Sequence, residues 1–372
     1  MTIEEDTRII DGSVRVGQRL RHGRGALSNA ASRYEPGRVR VDDGWGVDPD
    51  DDLPPLKTSV TADASRTIIT RNQSPDISFD RSINPYRGCE HGCVYCFARP
   101  THAWLGLSPG LDFETRLFAK PRAAELLEAE LRSASYAPRV IAIGTNTDPY
   151  QPVERTLRVT RSILEVLDRF NHPVGITTKG ARVVRDIDIL GPMAARRLAK
   201  VAISVTTLDA KLARAMEPRA PAPEKRLAAI RDLSAAGIPV AVMVAPLIPG
   251  LTDHEIEPIL ERAADAGATQ AGYVLLRLPL ELKEVVAEWL RDHCPDRADR
   301  VLNLLRGMRG GKEYDARWGL RQTGTGAYAR FIADRFRVAR TRFGLDRRSW
   351  SHDMSLFRPP PRAGDQLSLL DP

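Results

Sequence analysis

The stretch Arg87-Gly-Cys-Glu-His-Gly-Cys-Val-Tyr-Cys-Phe97 follows a short apolar run, Ser82–Tyr86, and sets three cysteines at Cys-x3-Cys-x2-Cys spacing. The 372-residue chain has one further cysteine, Cys294, so no disulfide framework can be built. Clustered thiols in a reducing compartment read instead as metal ligands or catalytic groups. Three thiols are one short of a structural zinc site. They suit a [4Fe–4S] cubane in which Cys89, Cys93 and Cys96 each take one iron and the fourth iron stays open. Gly88 and Gly92 let the backbone fold closely around such a core. The competing reading is a zinc knuckle completed by His91 or His102.

Outward from this loop a rhythm runs from about 80 to 290. Short branched apolar runs (Ser82–Tyr86, Arg139–Gly144, Val174–Thr178, Val201–Thr206, Pro239–Ala245, Gly272–Leu276) alternate with helical patterns. The helices are expected at Ala123–Ser133, Arg155–Phe170, Val183–Leu198, Pro223–Ala236, His254–Ala266 and Glu281–His293. Six strand–helix units in series imply an α/β fold with a parallel sheet and outer helices. Six units fit an open, partial (β/α)6 barrel, with the chemistry on loops after the carboxyl ends of the strands. The barrel is assigned to 76–295.

Residues 1–75 show little periodicity and read as a poorly packed or peripheral tail. Residues 296–348 read as a basic helical extension, and 349–372 as a flexible tail with a Pro/Arg/Gly tether. The acidic N-terminus lacks an apolar signal region. No apolar run approaches the roughly 18 residues of a membrane helix. A cytoplasmic protein with no membrane partner is expected. Net charge is +7, and Arg306–Arg348 holds 12 Lys/Arg against 4 Asp/Glu. That stretch is either a solvated helix face or a surface for phosphates.

The cysteine spacing, with Tyr95 just before the last cysteine, resembles the signature of the radical S-adenosylmethionine (SAM) superfamily. Asn84–Arg99, Gly144-Thr-Asn-Thr-Asp-Pro-Tyr-Gln-Pro152, Ile176-Thr-Thr-Lys179, Ser204-Val-Thr-Thr-Leu-Asp209 and Glu217-Pro-Arg-Ala-Pro221 resemble the branch that contains spore photoproduct lyase. The resemblance spans roughly 80 to 290. It implies that the open iron binds the amino and carboxylate groups of SAM. An electron from a flavodoxin- or ferredoxin-like donor would then release a 5′-deoxyadenosyl radical.

On this resemblance the cofactor-binding candidates sit after successive strands. Asn146 and Asp148 would accept from the SAM ammonium; an Asx turn ending at Pro149 is the plainer reading. Lys179 would meet the SAM carboxylate, or else pair with Asp148. Ser204 and Thr206 would hold ribose or methionine, or cap the next helix. Arg219 would fork onto the carboxylate, or sit on the surface. Tyr95 lies within the cluster loop. Ala245–Leu251 would pack on adenine, or simply on protein.

The lyase branch uses a loop cysteine as hydrogen donor. The Gly144 loop has none, and Cys294 lies near a late helix end, where it reads as packed or surface. Tyr150 and Tyr328 remain as hydrogen relays. At the end of the chain, Gln366-Leu-Ser-Leu-Leu370 resembles the peptide by which repair proteins dock on the DNA sliding clamp. With the basic stretch it points to DNA, on which a base must be flipped or unpaired. Two other functions stay open: a radical SAM enzyme on a protein or small molecule, and a non-catalytic iron–sulfur or zinc nucleic-acid module.

Overall fold

Ten strands form two sheets in the computed structural model, which describes residues 23–28, 33–34, 57–346 and 350–361. They are β1 (Ser59–Ala62), β2 (Thr70–Arg71), β3 (Arg81–Ile83), β4 (Tyr86–Arg87), β5 (Arg116–Ala119), β6 (Ile141–Ile143), β7 (Val174–Thr178), β8 (Ala199–Ser204), β9 (Val240–Leu247) and β10 (Gln270–Leu275). The large sheet has the order β10-β9-β8-β7-β6-β3-β2. Strands β3, β6, β7, β8, β9 and β10 are parallel neighbours in chain order, and β2 runs antiparallel at one edge. Helices follow every parallel strand, so this is the open partial barrel expected from six strand–helix units.

The six branched runs become strands because both sheet faces are covered and reward continuous Ile and Val. Ile83, Ile141, Ile143, Val174, Ile176, Val201, Ile203, Val240, Val242 and Val244 are buried in one core. Leu127, Leu164, Leu167, Leu190, Leu227, Ile230, Ile256 and Leu260 close that core from the helices. A second core lies beneath the cysteine loop. There the successive helices Leu282–His293 and Pro295–Gly307 bring Trp289, Leu290, Val301 and Leu305 into one cluster with Val94, Tyr95 and Leu111.

The first expected strand, Ser82–Tyr86, is two elements. Pro85 has no N–H for the ladder and breaks the run. β3 stays in the barrel, while β4 turns into a three-stranded sheet of order β1-β5-β4 that carries the chain into Cys89.

Both ends depart from expectation where they are described. Residues 1–75 are not wholly peripheral, since Arg24 to Ser28 are buried against the cysteine loop and Glu114. β1 and β2 are also built from this region. The stretch 350–361 is not free either. His352 Nε2 meets the Val174 carbonyl at 3.0 Å, and the Asp353 and Arg358 amides donate to the carbonyls of Arg197 and Phe170 at 3.0 Å each. Arg132 donates to the Pro360 carbonyl at 2.8 Å, and Phe357 packs on Tyr136 and His172. This strap crosses the amino-terminal ends of the strands. The peptide Gln366–Leu370 lies outside the described residues. No described helix is long and apolar enough to cross a membrane.

The open edge at β10 is covered by later chain, which blunts it against foreign strands. The Ala271 amide donates to the Leu345 carbonyl at 3.0 Å, the Leu275 amide donates to the Gln322 carbonyl at 2.8 Å, and Gln270 pairs with Asp346.

Candidate functional site

The cysteine loop is held from below by one buried ion pair. Arg99 and Glu114 are both fully buried, with Arg99 NH2 2.5 Å from Glu114 Oε1. Arg99 Nε donates to the Cys93 carbonyl at 2.9 Å, and its remaining nitrogens reach the carbonyls of Gly92, Pro109 and Gly110. Glu114 in turn accepts the amides of Gly25 and Ala26 at 2.8 Å each. Gly25 is required there, because a Cβ would lie 1.9 Å from the Gly92 carbonyl oxygen. From above, Gln151 Oε1 accepts the Glu90 amide at 2.9 Å, and the Val94 amide donates to the Met216 carbonyl at 2.9 Å. Segments after β3, β6 and β8 thus converge on the loop at the carboxyl ends of the strands.

Cys89, Cys93 and Cys96 are free thiols, the first two buried and Cys96 partly so. Burial pushes all three pKa values up, opposed at Cys93 and Cys96 by the charge of Lys179. Buried thiols of this kind ionise when metal supplies the positive charge. Among the described residues, no three His, Cys, Asp or Glu side chains converge on a single ion. Each of the two imidazoles that a zinc knuckle would need leans on another group, although the Nδ1 atoms of both are buried without a hydrogen-bond partner among the described residues. His102 Nε2 meets the Arg116 carbonyl at 2.9 Å beneath the loop, and His91 Nδ1 faces Asp148 Oδ2 at 3.4 Å. A cubane asks less, because each cysteine binds its own iron. The donor set fits that cluster.

Asp148 organises the turn opposite. Its carboxylate accepts from Thr178 Oγ1 at 2.5 Å, from the Lys179 amide at 2.7 Å and from the Tyr150 amide at 2.9 Å. Burial alone would raise its pKa, but His91 and these donors hold the carboxyl well below the usual range. The Tyr150 bond is the Asx turn read from the sequence. The alternative Asp148–Lys179 salt bridge is absent, since it is the Lys179 main chain that bonds Asp148. The Lys179 ammonium lies 5.5 Å from the centre of the Tyr95 ring and has no carboxylate partner among the described residues. Gly144 permits this arrangement: at φ +91° a Cβ would stand 1.9 Å from the Thr177 carbonyl oxygen. Asn146 is exposed, its amide donating to Asn84 Oδ1 at 2.9 Å.

Thr206 is fully buried and its hydroxyl is used within the protein. It donates to Glu217 Oε1 at 2.7 Å, leaving it to accept from the Tyr95 hydroxyl at 3.2 Å. Glu217 is ion-paired with buried Arg226, which also donates to the Ser204 carbonyl at 3.2 Å. The chain Tyr95–Thr206–Glu217–Arg226 therefore ties the cysteine loop to the end of β8. Neither Ser204 nor Thr206 caps the next helix; Asp209 does, accepting from the amides of Lys211 and Leu212. Arg219 is paired with Glu90 at 3.0 Å on the flank of the loop. Ile248 and Leu251 are buried in the second core.

Sequence reasoning missed Arg99, Glu114, Gln151, Glu217 and Arg226. Arg99, Gln151 and Glu217 do lie in the stretches that carry the family resemblance, and for Glu114 and Arg226 the signal was only charge within largely apolar segments. Cys294 ends the helix Leu282–His293 and packs on the second core. Tyr150 is buried with its hydroxyl on Asp186 at 3.0 Å, and Tyr328 bonds Asp253.

Comparison with known proteins bears on this geometry. A family profile described as the radical SAM superfamily matches residues 83–263. An uncharacterized protein of Mycobacterium tuberculosis is 38% identical over 232 residues, covering 62% of this chain and 68% of the relative. An uncharacterized protein of Methanocaldococcus jannaschii is 28% identical over 173 residues, covering 46% and 62%. Among solved structures, spore photoproduct lyase complexed with dinucleoside spore photoproduct shares the fold with a TM-score of 0.54. It is 16% identical, and the match covers 76% of this chain and 79% of that one.

Proposed function

Since the chain belongs to the radical SAM superfamily, we propose that Cys89, Cys93 and Cys96 hold a [4Fe–4S] cluster with SAM at its open iron, and that the enzyme acts on a base of DNA. When bound, the cluster supplies the electron that splits the SAM sulfonium and yields a 5′-deoxyadenosyl radical for hydrogen abstraction. The observation that carries the reading is the unpaired Lys179 ammonium facing Tyr95, on the same mouth as three free thiols.

In this reading Lys179 holds the SAM carboxylate. Asp148 aims it by fixing the Thr178–Lys179 turn, and Asn146, exposed nearby, accepts from the SAM ammonium. Tyr95 and Thr206 brace the loop, with Ser204 beside them. Arg219 steadies the loop through Glu90.

Two observations favour DNA. The fold is shared with a lyase solved with a dinucleoside photoproduct. In the basic extension, Arg306, Arg317, Arg321, Arg335 and Arg337 are spent on nearby carboxylates, but Lys312, Arg330 and Arg342 form no ion pair among the described residues. The loop after β6 offers no thiol, so the hydrogen donor differs in kind from the lyase branch. A flavodoxin- or ferredoxin-like protein would supply the electron, and Gln366–Leu370 would dock on a sliding clamp.

The test is 5′-deoxyadenosine formation by anaerobically reconstituted, reduced protein with SAM, screened with and without lesion-bearing DNA. Product from wild type but not from Cys93→Ala supports the radical chemistry, and stimulation by DNA supports the substrate class. Bound zinc with no product would sink the cluster assignment. Product that ignores every DNA added would favour a protein or small-molecule substrate.

A further inference from the structure

Beyond β10 the chain turns back over the cysteine loop and brings two guanidinium groups to one tyrosine without a counter-ion among the described residues. Arg277, two residues past the strand, stacks on the ring of Phe97, 4.7 Å from its centre. Phe97 directly follows Cys96, so this contact sits at the barrel mouth. Arg277 NH2 stands 3.5 Å from the Tyr314 hydroxyl oxygen, the outer limit of a hydrogen bond. Arg309 lies 5.8 Å from the centre of the same tyrosine ring.

Arg309 is 3% exposed and donates to the carbonyls of Leu276 and Arg321 at 2.9 and 3.3 Å. The Nε atoms of Arg277 and Arg309 are both buried and lack a hydrogen-bond partner among the described residues. Neither guanidinium forms an ion pair there. Asp315, the acid near Arg309, is forked by Arg317 at 2.6 Å. Burial, and to a smaller degree the charge of Arg277, push the Arg309 pKa down.

One partly buried and one buried cation around one tyrosine, with orphaned donors, are costly as they stand. An oxyanion on the exposed part of Arg277 would neutralise this charge, with Arg309 adding its field from behind, and guanidinium forks suit phosphate. Beside them Phe97 is 41% exposed and presents the rest of its ring as a stacking shelf.

We propose that Arg277, Arg309 and Tyr314 form a phosphate anchor, with Phe97 as the adjoining base platform, that seats a nucleotide unit of the substrate over the cysteine loop. The proposal rests on the nucleic-acid reading above and adds the residues that hold the substrate. Arg277 is the member to vary, because Arg309 also supports main-chain carbonyls.

The experiment measures fluorescence anisotropy of a labelled single-stranded thymidine oligomer, and calorimetric binding of thymidine 5′-monophosphate, with reconstituted full-length protein. Wild type is compared with Arg277→Ala, Arg277→Lys and Phe97→Leu, each first shown to unfold at the wild-type temperature. Arg277→Ala is expected to weaken oligomer binding about tenfold and flatten the salt dependence by roughly one phosphate contact. Inorganic phosphate should compete with the oligomer for wild type, Arg277→Lys should recover part of the loss, and Phe97→Leu should weaken binding without changing the salt slope. Equal affinity and equal slope for wild type and Arg277→Ala would overturn the anchor while leaving the nucleic-acid reading standing. Oligomer binding absent but monophosphate binding present, and lost in Arg277→Ala, would keep the anchor, assign it to free nucleotides and sink the DNA reading. Binding of neither probe by wild type overturns the anchor.

Discussion

Two side chains carry contrasting tasks beside the cysteine loop. Lys179 has no carboxylate partner among the described residues, so its removal should cost the fold little and, in the proposed role, the cofactor much. Lys179→Ala is expected to weaken SAM binding about tenfold or more in equilibrium dialysis, near 1.4 kcal/mol, while the urea midpoint stays within error of wild type. Glu114 is the opposite case, since it joins Arg99 and the Gly25–Ala26 amides beneath the loop. Glu114→Gln strands a buried guanidinium and should cost about 3–5 kcal/mol in urea unfolding, with reduced iron uptake on reconstitution. The cysteine spacing was legible because its chemistry lies within eight consecutive residues. The Arg99–Glu114 pair was not, because nothing local shows that two charges fifteen positions apart turn inward together.

The six parallel strands could be read from the sequence because strands covered on both faces are uniformly apolar and branched. Strand ends were harder, as at Pro85, where a missing N–H sends β4 to another sheet. The turns joining strands to chemistry were hardest, because close backbone approach leaves only a glycine as its trace. Gly144 is such a trace. Gly144→Ala should displace the Thr177–Lys179 turn and destabilise the protein by about 1–3 kcal/mol, read as a lowered thermal midpoint together with weaker SAM binding. The strap 350–361 also escaped notice, since prolines and arginines suggest an untethered segment.

That strap leans on His172, whose neutral ring accepts from the Tyr136 hydroxyl at 2.7 Å, donates to the Pro173 carbonyl at 3.0 Å and packs edge-on against Phe357. Burial pushes its pKa down from 6.5 to about 4. Between those values the unfolded chain binds more protons than the folded one, so stability is full above the upper value and is lost as pH falls through the lower. The thermal midpoint should decline as pH drops from 6.5 to 4, and His172→Gln should show a shallower decline from a lower start.

On the scale of the whole molecule, the cysteine loop, Lys179 and Arg277 gather at the carboxyl ends of the parallel strands. Only the barrel rule connects them, for they lie as far apart in sequence as residues 89 and 277. The extra arginines of the extension were legible as charge but not as partners: Arg321 reaches Asp76 and Arg335 reaches Glu257, neutralising much of what looked like a phosphate surface. Deleting residues 362–372 should leave 5′-deoxyadenosine formation unchanged while abolishing any sliding-clamp binding in a pull-down with purified clamp.

The strap gives the molecule a front and a back. β7 is five residues long, so its two ends lie roughly 16 Å apart, with Lys179 at one and the Val174–His352 contact at the other. The strap holds to that rear face as far as Pro360, whose carbonyl accepts from Arg132 at 2.8 Å. Substitutions in the strap therefore act on the rear face and leave the working mouth clear, so stability can be altered there without touching the residues proposed to meet the cofactor.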